Sequence, residues 1–203
     1  ANDTLDGNLT ASVVTTGTVD INTPGTYTLT YTGEDSSKNQ AAPVTRTIEV
    51  VDLVAPVIVL NGASSVSHQV GSAYTDAGST VTDNIDAGLS ATVAGSVDVN
   101  TLGTYTLSFS ATDSSGNKAS TVTRTVTVVD SAPPLITLLG DADMTIDQGS
   151  TFTDPFATAE DAQDGSVDVV VIGEVDSSTA GTYTLTYTAS DGQGNQADPV
   201  TRT

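Results

Sequence analysis

Cysteine and tryptophan are absent from this 203-residue sequence, and basic residues are few: five Lys and Arg stand against 25 Asp and Glu, for a net charge of -20. Without cysteine there is no disulfide framework, and with His68 as the single histidine a zinc site lacks ligands. Small extracellular modules without disulfides draw stability from bound metal or from docking between neighbours. The acidic excess repels nucleic-acid phosphates and anionic lipid, so no nucleic acid and no membrane insertion are expected among its partners. No apolar run approaches the roughly 18 residues that a spanning helix needs. Aromatics make up only 4%, too few for thick cores or a stacking platform. No nucleophile–base pair and no phosphate-binding loop occurs, so the chain is not expected to be an enzyme.

What remains is rich in Thr, Val, Ser, Ala and Gly, a composition suited to pleated, half-buried strands. Of the 25 acidic residues 21 are Asp, and they sit in turns rather than in the blocks that mark disordered tails.

The sequence repeats. Shifted by 78 residues it superimposes on itself without gaps: Asp52 falls on Asp130, Pro56 on Pro134, Tyr74 on Phe152, Asp76 on Asp154, and Asp83 and Asp86 on Asp161 and Asp164. Tyr105, Asp113, Asn117 and Arg124 fall on Tyr183, Asp191, Asn195 and Arg202. The same shift backwards finds Tyr27, Asp35, Asn39 and Arg46, and a slip of two residues matches Asp3 and Asp6 to Asp83 and Asp86. Repeats must be read before length, because they override it as a guide to domain count. Residues 53–130 therefore form one whole repeat, 1–52 one that is incomplete at its N-terminus, and 131–203 one that lacks the end of its last strand. Both outer repeats break inside an element, as expected of a piece of a longer array. The alternative is a subunit completed by neighbours through strand addition, which would self-associate into fibres.

Alternation and turn residues predict strands over 56–60, 65–70, 73–82, 89–99 (broken near Gly95), 104–112 and 118–129. About seven short strands per repeat, with no helical period, define an all-β chain of tandem immunoglobulin-like antiparallel β-sandwich modules. The Gly-x-Tyr before each penultimate strand resembles a tyrosine corner, which makes Tyr105 a structural residue. Arg124 shares inward parity with Val126 and Val128 and so needs a buried carboxylate, for which Asp76 and Asp98 are the candidates. Residues 50–56 and 128–134 contain no Gly/Ser spacer, so the joints between repeats should be short and semi-rigid.

In such a sandwich the loop at 83–88 and the turn at 113–117 lie at the end where the preceding repeat arrives. Asp52, Asp83, Asp86, Asp113 and Asn117 should converge at one joint, and Asp130, Asp161, Asp164, Asp191 and Asn195 at the next. In the first repeat Asp3, Asp6, Asp35 and Asn39 hold the matching positions. Four carboxylates and an amide suit Ca2+, which takes six to eight oxygen ligands in flexible geometry, better than Mg2+ with its strict octahedron. Each Asp also has a plain alternative as a turn former, since Asp-Ser-Ser-Gly-Asn makes a good hairpin turn without metal.

These stretches resemble bacterial immunoglobulin-like repeats of the HYR-like type, also seen as the Ig-like domain of an insecticidal crystal protein. The resemblance rests on Ala-Pro-Val-Ile-Val-Leu-Asn-Gly at 55–62, Val-Gly-Ser-Ala-Tyr-Thr-Asp-Ala-Gly at 70–78 and Thr-Asp-Asn-Ile-Asp at 82–86. It continues through Gly-Thr-Tyr-Thr-Leu at 103–107, Ala-Thr-Asp-Ser-Ser-Gly-Asn at 111–117 and Thr-Arg-Thr-Val-Thr-Val-Val-Asp at 123–130. It implies an extracellular place, on a cell surface or secreted, with neighbouring Ig-like modules of the same chain as partners. Such repeats form adhesin stalks and accessory modules of secreted hydrolases. The expectation is a non-catalytic stalk segment stiffened by Ca2+ at its joints; the alternatives are a carbohydrate-binding accessory module and a subunit of an extracellular filament.

Overall fold

The computed structural model describes residues 1–203. Apart from one three-residue 3-10 turn at Thr10–Ser12, its regular structure is entirely β. The first repeat contributes β1 (Asn2–Asp3), β2 (Gly7–Asn8), β3 (Val14–Thr16), β4 (Gly25–Thr32) and β5 (Val44–Val50). The second contributes β6 (Val57–Leu60), β7 (Ser65–Gln69), β8 (Ser79–Thr82), β9 (Thr92–Ala94), β10 (Gly103–Ser110) and β11 (Val122–Val129). The third contributes β12 (Leu135–Leu138), β13 (Ala157–Asp161), β14 (Gly165–Val167), β15 (Val169–Ile172), β16 (Leu185–Ala189) and β17 (Val200–Arg202).

The chain divides into two compact units. One comprises Ala1–Gly62, Ala77–Ala94 and Ser108–Thr123; the other comprises Ala63–Asp76, Gly95–Leu107 and Arg124–Thr203. In the first unit β3, β4 and β5 form an antiparallel sheet in that order, and β6 pairs with β8. In the second unit β12-β13-β14 and β15-β16-β17 form two antiparallel sheets. Their apolar faces enclose Ile136, Ala157, Ala159, Leu185, Tyr187, Ala189 and Ala197. Three of these seven are alanines on a strand's inward face, so the core is thin, and Tyr187 is its largest side chain.

Two features depart from the sequence expectation. The pairing is not wholly antiparallel, because β7 runs parallel to β11 with Val126 beside Val66 and Val128 beside His68. The chain leaves β8's partner β6, crosses at Asn61 and Gly62, and pairs β7 with β11 instead of β8. The expected strand over 73–82 shrinks to Ser79–Thr82. Before it, Tyr74 and Asp76 turn their side chains toward Arg124, and Gly78 adopts φ +74, which ends the extended run. Neither event changes the period-two alternation, so neither was legible in it.

The expected strand over 89–99 is likewise shortened, to Thr92–Ala94, and ends at Gly95. Gly95 has φ +99, and a Cβ there would collide with the Thr106 carbonyl oxygen. Gly17 and Gly173, 78 residues away on either side, are in the same position against Thr28 and Thr184. Only glycine permits both the left-handed backbone and the close approach. The tyrosine corner also recurs: Tyr27, Tyr105 and Tyr183 donate their hydroxyls to the carbonyls of Thr23, Thr101 and Thr179 at 2.8, 2.8 and 2.9 Å.

The inward arginines find their carboxylates. Arg124 is 1% exposed and pairs with Asp76, while Arg202 is 2% exposed and pairs with Asp154. Arg202 also donates to Leu139, Phe156 and Asp141 carbonyls and to the Tyr187 hydroxyl. Asp98, the other candidate partner, instead caps its own turn at Asn100 and Thr101.

Candidate metal centres

Each joint assembles from an upper loop, a hairpin turn and the last residue of the preceding repeat. The upper loop is an Asx turn. Oδ1 of Asp83 accepts the backbone N–H groups of Ile85 and Asp86, both at 2.9 Å. Asp161 does the same for Gln163 and Asp164, and Asp3 for Leu5 and Asp6. In the hairpin turn, Asp113 takes the Asn117 N–H on Oδ1 and the Asn117 side-chain amide on Oδ2, each at 2.7 Å. Asp191 with Asn195 and Asp35 with Asn39 repeat this arrangement. The sequence Asp-x-x-Gly-Asn folds this way because its Gly takes a positive φ, +90 at Gly116 and +88 at Gly194.

Asp86 and Asp164 clasp the loop to the turn. Asp86 accepts the N–H and hydroxyl of Ser114 at 2.6 and 2.9 Å, Asp164 accepts the Gly192 N–H at 2.6 Å, and Asp6 accepts from Ser36. The amides of Asn117 and Asn195 reach the joint itself and donate to the backbone carbonyls of Asp52 and Asp130 at 3.1 and 3.3 Å.

Of the expected ligands, the structure therefore brings together Asp52, Asp83 and Asp113 at one joint and Asp130, Asp161 and Asp191 at the other. Within each trio one carboxylate oxygen from every residue lies within 4.8 Å of the others. Asp86, Asp164, Asn117 and Asn195 lie around these trios with their side chains engaged as braces. Asp3, Asp6, Asp35 and Asn39 build the same loop and turn without a close trio of carboxylates.

Five of the six trio residues are buried and Asp83 is half-buried. Asp52, Asp113, Asp130, Asp161 and Asp191 are each 7% exposed. Oδ2 of Asp52, Asp83, Asp130 and Asp161 is inaccessible to solvent and has no hydrogen-bond partner. Buried polar atoms are rarely left so, and an unpaired buried carboxylate is costly. The trios do not answer this by taking up protons where a shift is resolved. Backbone N–H groups of Asp86 and Ile85 hold the Asp83 carboxyl below the ordinary carboxylate range. Burial pushes Asp191 up, but the Asn195 side chain and the N–H groups of Asn195 and Gln193 outweigh it and leave it lowered. Three carboxylates this close repel one another strongly at low local dielectric, and a hard cation with oxygen ligands is the species that would fit among them.

Two participants carry no repeat signal. Oδ1 of Asp52 accepts the Val54 N–H and the Asn84 side-chain amide, whereas Oδ1 of Asp130 accepts the Ala132 N–H and the amide of Gln69. Asn84 is replaced by Ala162 in the third repeat and Gln69 by Asp147, so the 78-residue shift conceals both.

The fold and the joints define a class: tandem immunoglobulin-like sandwich modules with acidic joints. The chain belongs to the family described as the bacterial surface protein, Ig-like domain, whose signature matches it three times, over residues 1–50, 58–128 and 136–203. An uncharacterized 81.3 kDa protein of Acholeplasma phage L2 is 32% identical over 211 residues, covering 96% of this chain and 28% of its own length. Hyalin of Strongylocentrotus purpuratus is 31% identical, with coverage of 88% and 16%. Internalin I of Listeria monocytogenes serotype 4b is 29% identical, with coverage of 90% and 11%. The chain thus spans less than a third of the length of each of these relatives. No helix in it is long and apolar enough to cross a membrane.

Proposed function

We propose that this chain is a non-catalytic stalk segment of a bacterial cell-surface or secreted protein, and that Ca2+ bound at the joints between its Ig-like repeats makes them rigid. One observation carries the calcium reading. At both joints the last aspartate of one repeat stands among two loop aspartates of the next, with buried carboxylate oxygens that have no partner. A cation there binds two repeats at once, so it resists bending and separation of the pair. The family of surface Ig-like domains is consistent with a role in spacing other parts of a longer protein.

The partners are the neighbouring Ig-like modules of the same chain. Calcium at about 100 times its dissociation constant stabilises the folded state by roughly 2.7 kcal/mol per site. For a chain of this size that corresponds to on the order of 10–20 °C in Tm for two sites. Differential scanning calorimetry of the chain in chelator and then in calcium reads this rise, and limited proteolysis at residues 51–57 reads the rigidity of the first joint. Identical melting and cleavage in the two conditions would remove calcium from the reading.

A further inference from the structure

A hydrogen bond that holds one oxygen of a carboxylate fixes the direction in which the other is offered to a metal. At the first joint Asn84 donates its amide to Asp52 Oδ1 at 3.3 Å, beside the Val54 N–H at 3.1 Å, and Oδ2 is left buried and unpartnered. At the second joint residue 162 is alanine and cannot donate. There Gln69, at the end of β7, takes over: its amide nitrogen donates to Asp130 Oδ1 at 3.0 Å, and its oxygen accepts the Ser131 N–H at 2.8 Å and hydroxyl at 2.5 Å. Asp130 Oδ2 is again buried without a partner, in a residue 7% exposed. Two unrelated positions, one in the following repeat's loop and one on the preceding repeat's strand, thus produce the same orientation of the joint carboxylate.

We propose that Asn84 and Gln69 are the positioning residues of two separate cation sites, each turning Oδ2 of its joint aspartate toward the trio; this rests on the calcium reading above. Neither touches the cation. Each acts by holding Oδ1, as outer-shell donors do at metal sites, where their loss costs about 10–100-fold in affinity. The two sites are therefore tunable independently. The second is also tied to the body of the preceding repeat, because Gln69 is paired in register with Val129 of β11.

The experiment is calorimetric titration of the chelator-stripped full chain with Ca2+. The wild type is expected to take up two ions. Asn84→Ala should weaken one site at least tenfold and leave the other, and Gln69→Ala should weaken the other site alone. Asp52→Asn and Asp130→Asn assign which is which. Ala162→Asn added to Gln69→Ala gives the second joint the donor that the first one uses, and should restore the lost affinity. A purely structural role for Gln69 would not be rescued from the opposite side of the joint. Circular dichroism in chelator checks that each variant keeps its fold. The inference is overturned if the wild type binds two ions while Asn84→Ala and Gln69→Ala bind as tightly, or if Ala162→Asn restores nothing. A wild-type chain that takes up no calcium at all overturns the underlying reading, and this one with it.

Discussion

In the second and third repeats the buried arginine is held by a carboxylate that also receives a tyrosine hydroxyl, and that hydroxyl comes from a loop in one and from β16 in the other. In the second repeat Tyr74 donates to Asp76 at 3.0 Å; in the third, Tyr187 donates to Asp154 at 2.7 Å. The 78-residue shift places Phe152 on Tyr74 and Tyr187 on Phe109, so both of these repeats keep one ring with a hydroxyl and one without. Tyr31 of the first repeat follows the third, and Arg46 lies over its ring at 5.8 Å. Tyr187→Phe should therefore cost about 1.5–3 kcal/mol, the value of a hydrogen bond to a charged group. Phe152→Tyr with Tyr187→Phe should recover most of that, because the hydroxyl then arrives by the Tyr74 route. Urea unfolding of the two variants and the wild type measures it, and a non-additive cycle is the expected signature. The same residue sets an alkaline limit. Burial, together with the hydrogen bond to Asp154, pushes the Tyr187 phenol from 10.0 up to about 12. Its contribution is whole below pH 10, where folded and unfolded chains both keep the proton. It is lost between pH 10 and about 12, where only the unfolded chain has ionised. Stability should fall across that window in the wild type, with a shallower slope in Tyr187→Phe.

At the scale of the element, the glycine bend before each penultimate strand is the sharpest constraint. Gly95→Ala must place a Cβ against the Thr106 carbonyl and hold φ near +99, so it should destabilise by on the order of 2 kcal/mol or more. Gly88→Ala, at φ +74 with open space around its Cβ position, suffers the backbone strain alone and should cost less. Chemical denaturation separates the two. The bend near Gly95 was readable because a glycine interrupts an alternating run, and the alternation of residues 103–110 and 122–129 gave their faces correctly. Pairing was not readable in the same way. Val66 and His68 alternate equally well whether β7 lies parallel or antiparallel to its neighbour, and only the tertiary crossing after β6 decides it. The site divided likewise. Asp83, Asp113 and Asp52 were legible because all three recur and the sandwich brings their segments to one end. That Asp86 and Asn117 serve as braces was not, since an Asp at a turn has the same residue type whether its oxygens meet an N–H or a cation. Gln69 was invisible for want of any counterpart.

For the whole molecule, the question is whether its net charge of -20 makes calcium act by general neutralisation or at the joints. The two differ in their response to salt. Repulsion among exposed carboxylates is screened over about 3 Å in 1 M NaCl, against roughly 10 Å in 0.1 M. The joint trios, with carboxylate oxygens within 4.8 Å of one another and residues buried at both joints, are screened much less because they are largely withdrawn from the bulk salt solution. If calcium works at the joints, raising NaCl to 1 M in the presence of chelator should recover only a minor part of the Tm that calcium supplies. Asp52→Asn with Asp130→Asn should then abolish most of the calcium response while leaving the NaCl response as it was, because two charges of twenty-five acidic groups hardly alter the general field. If NaCl alone restores the full Tm, or the double variant still responds to calcium as the wild type does, neutralisation of the surface is sufficient and the joints are not its seat. Calorimetry across a NaCl series, with and without calcium, measures both responses on the same chain.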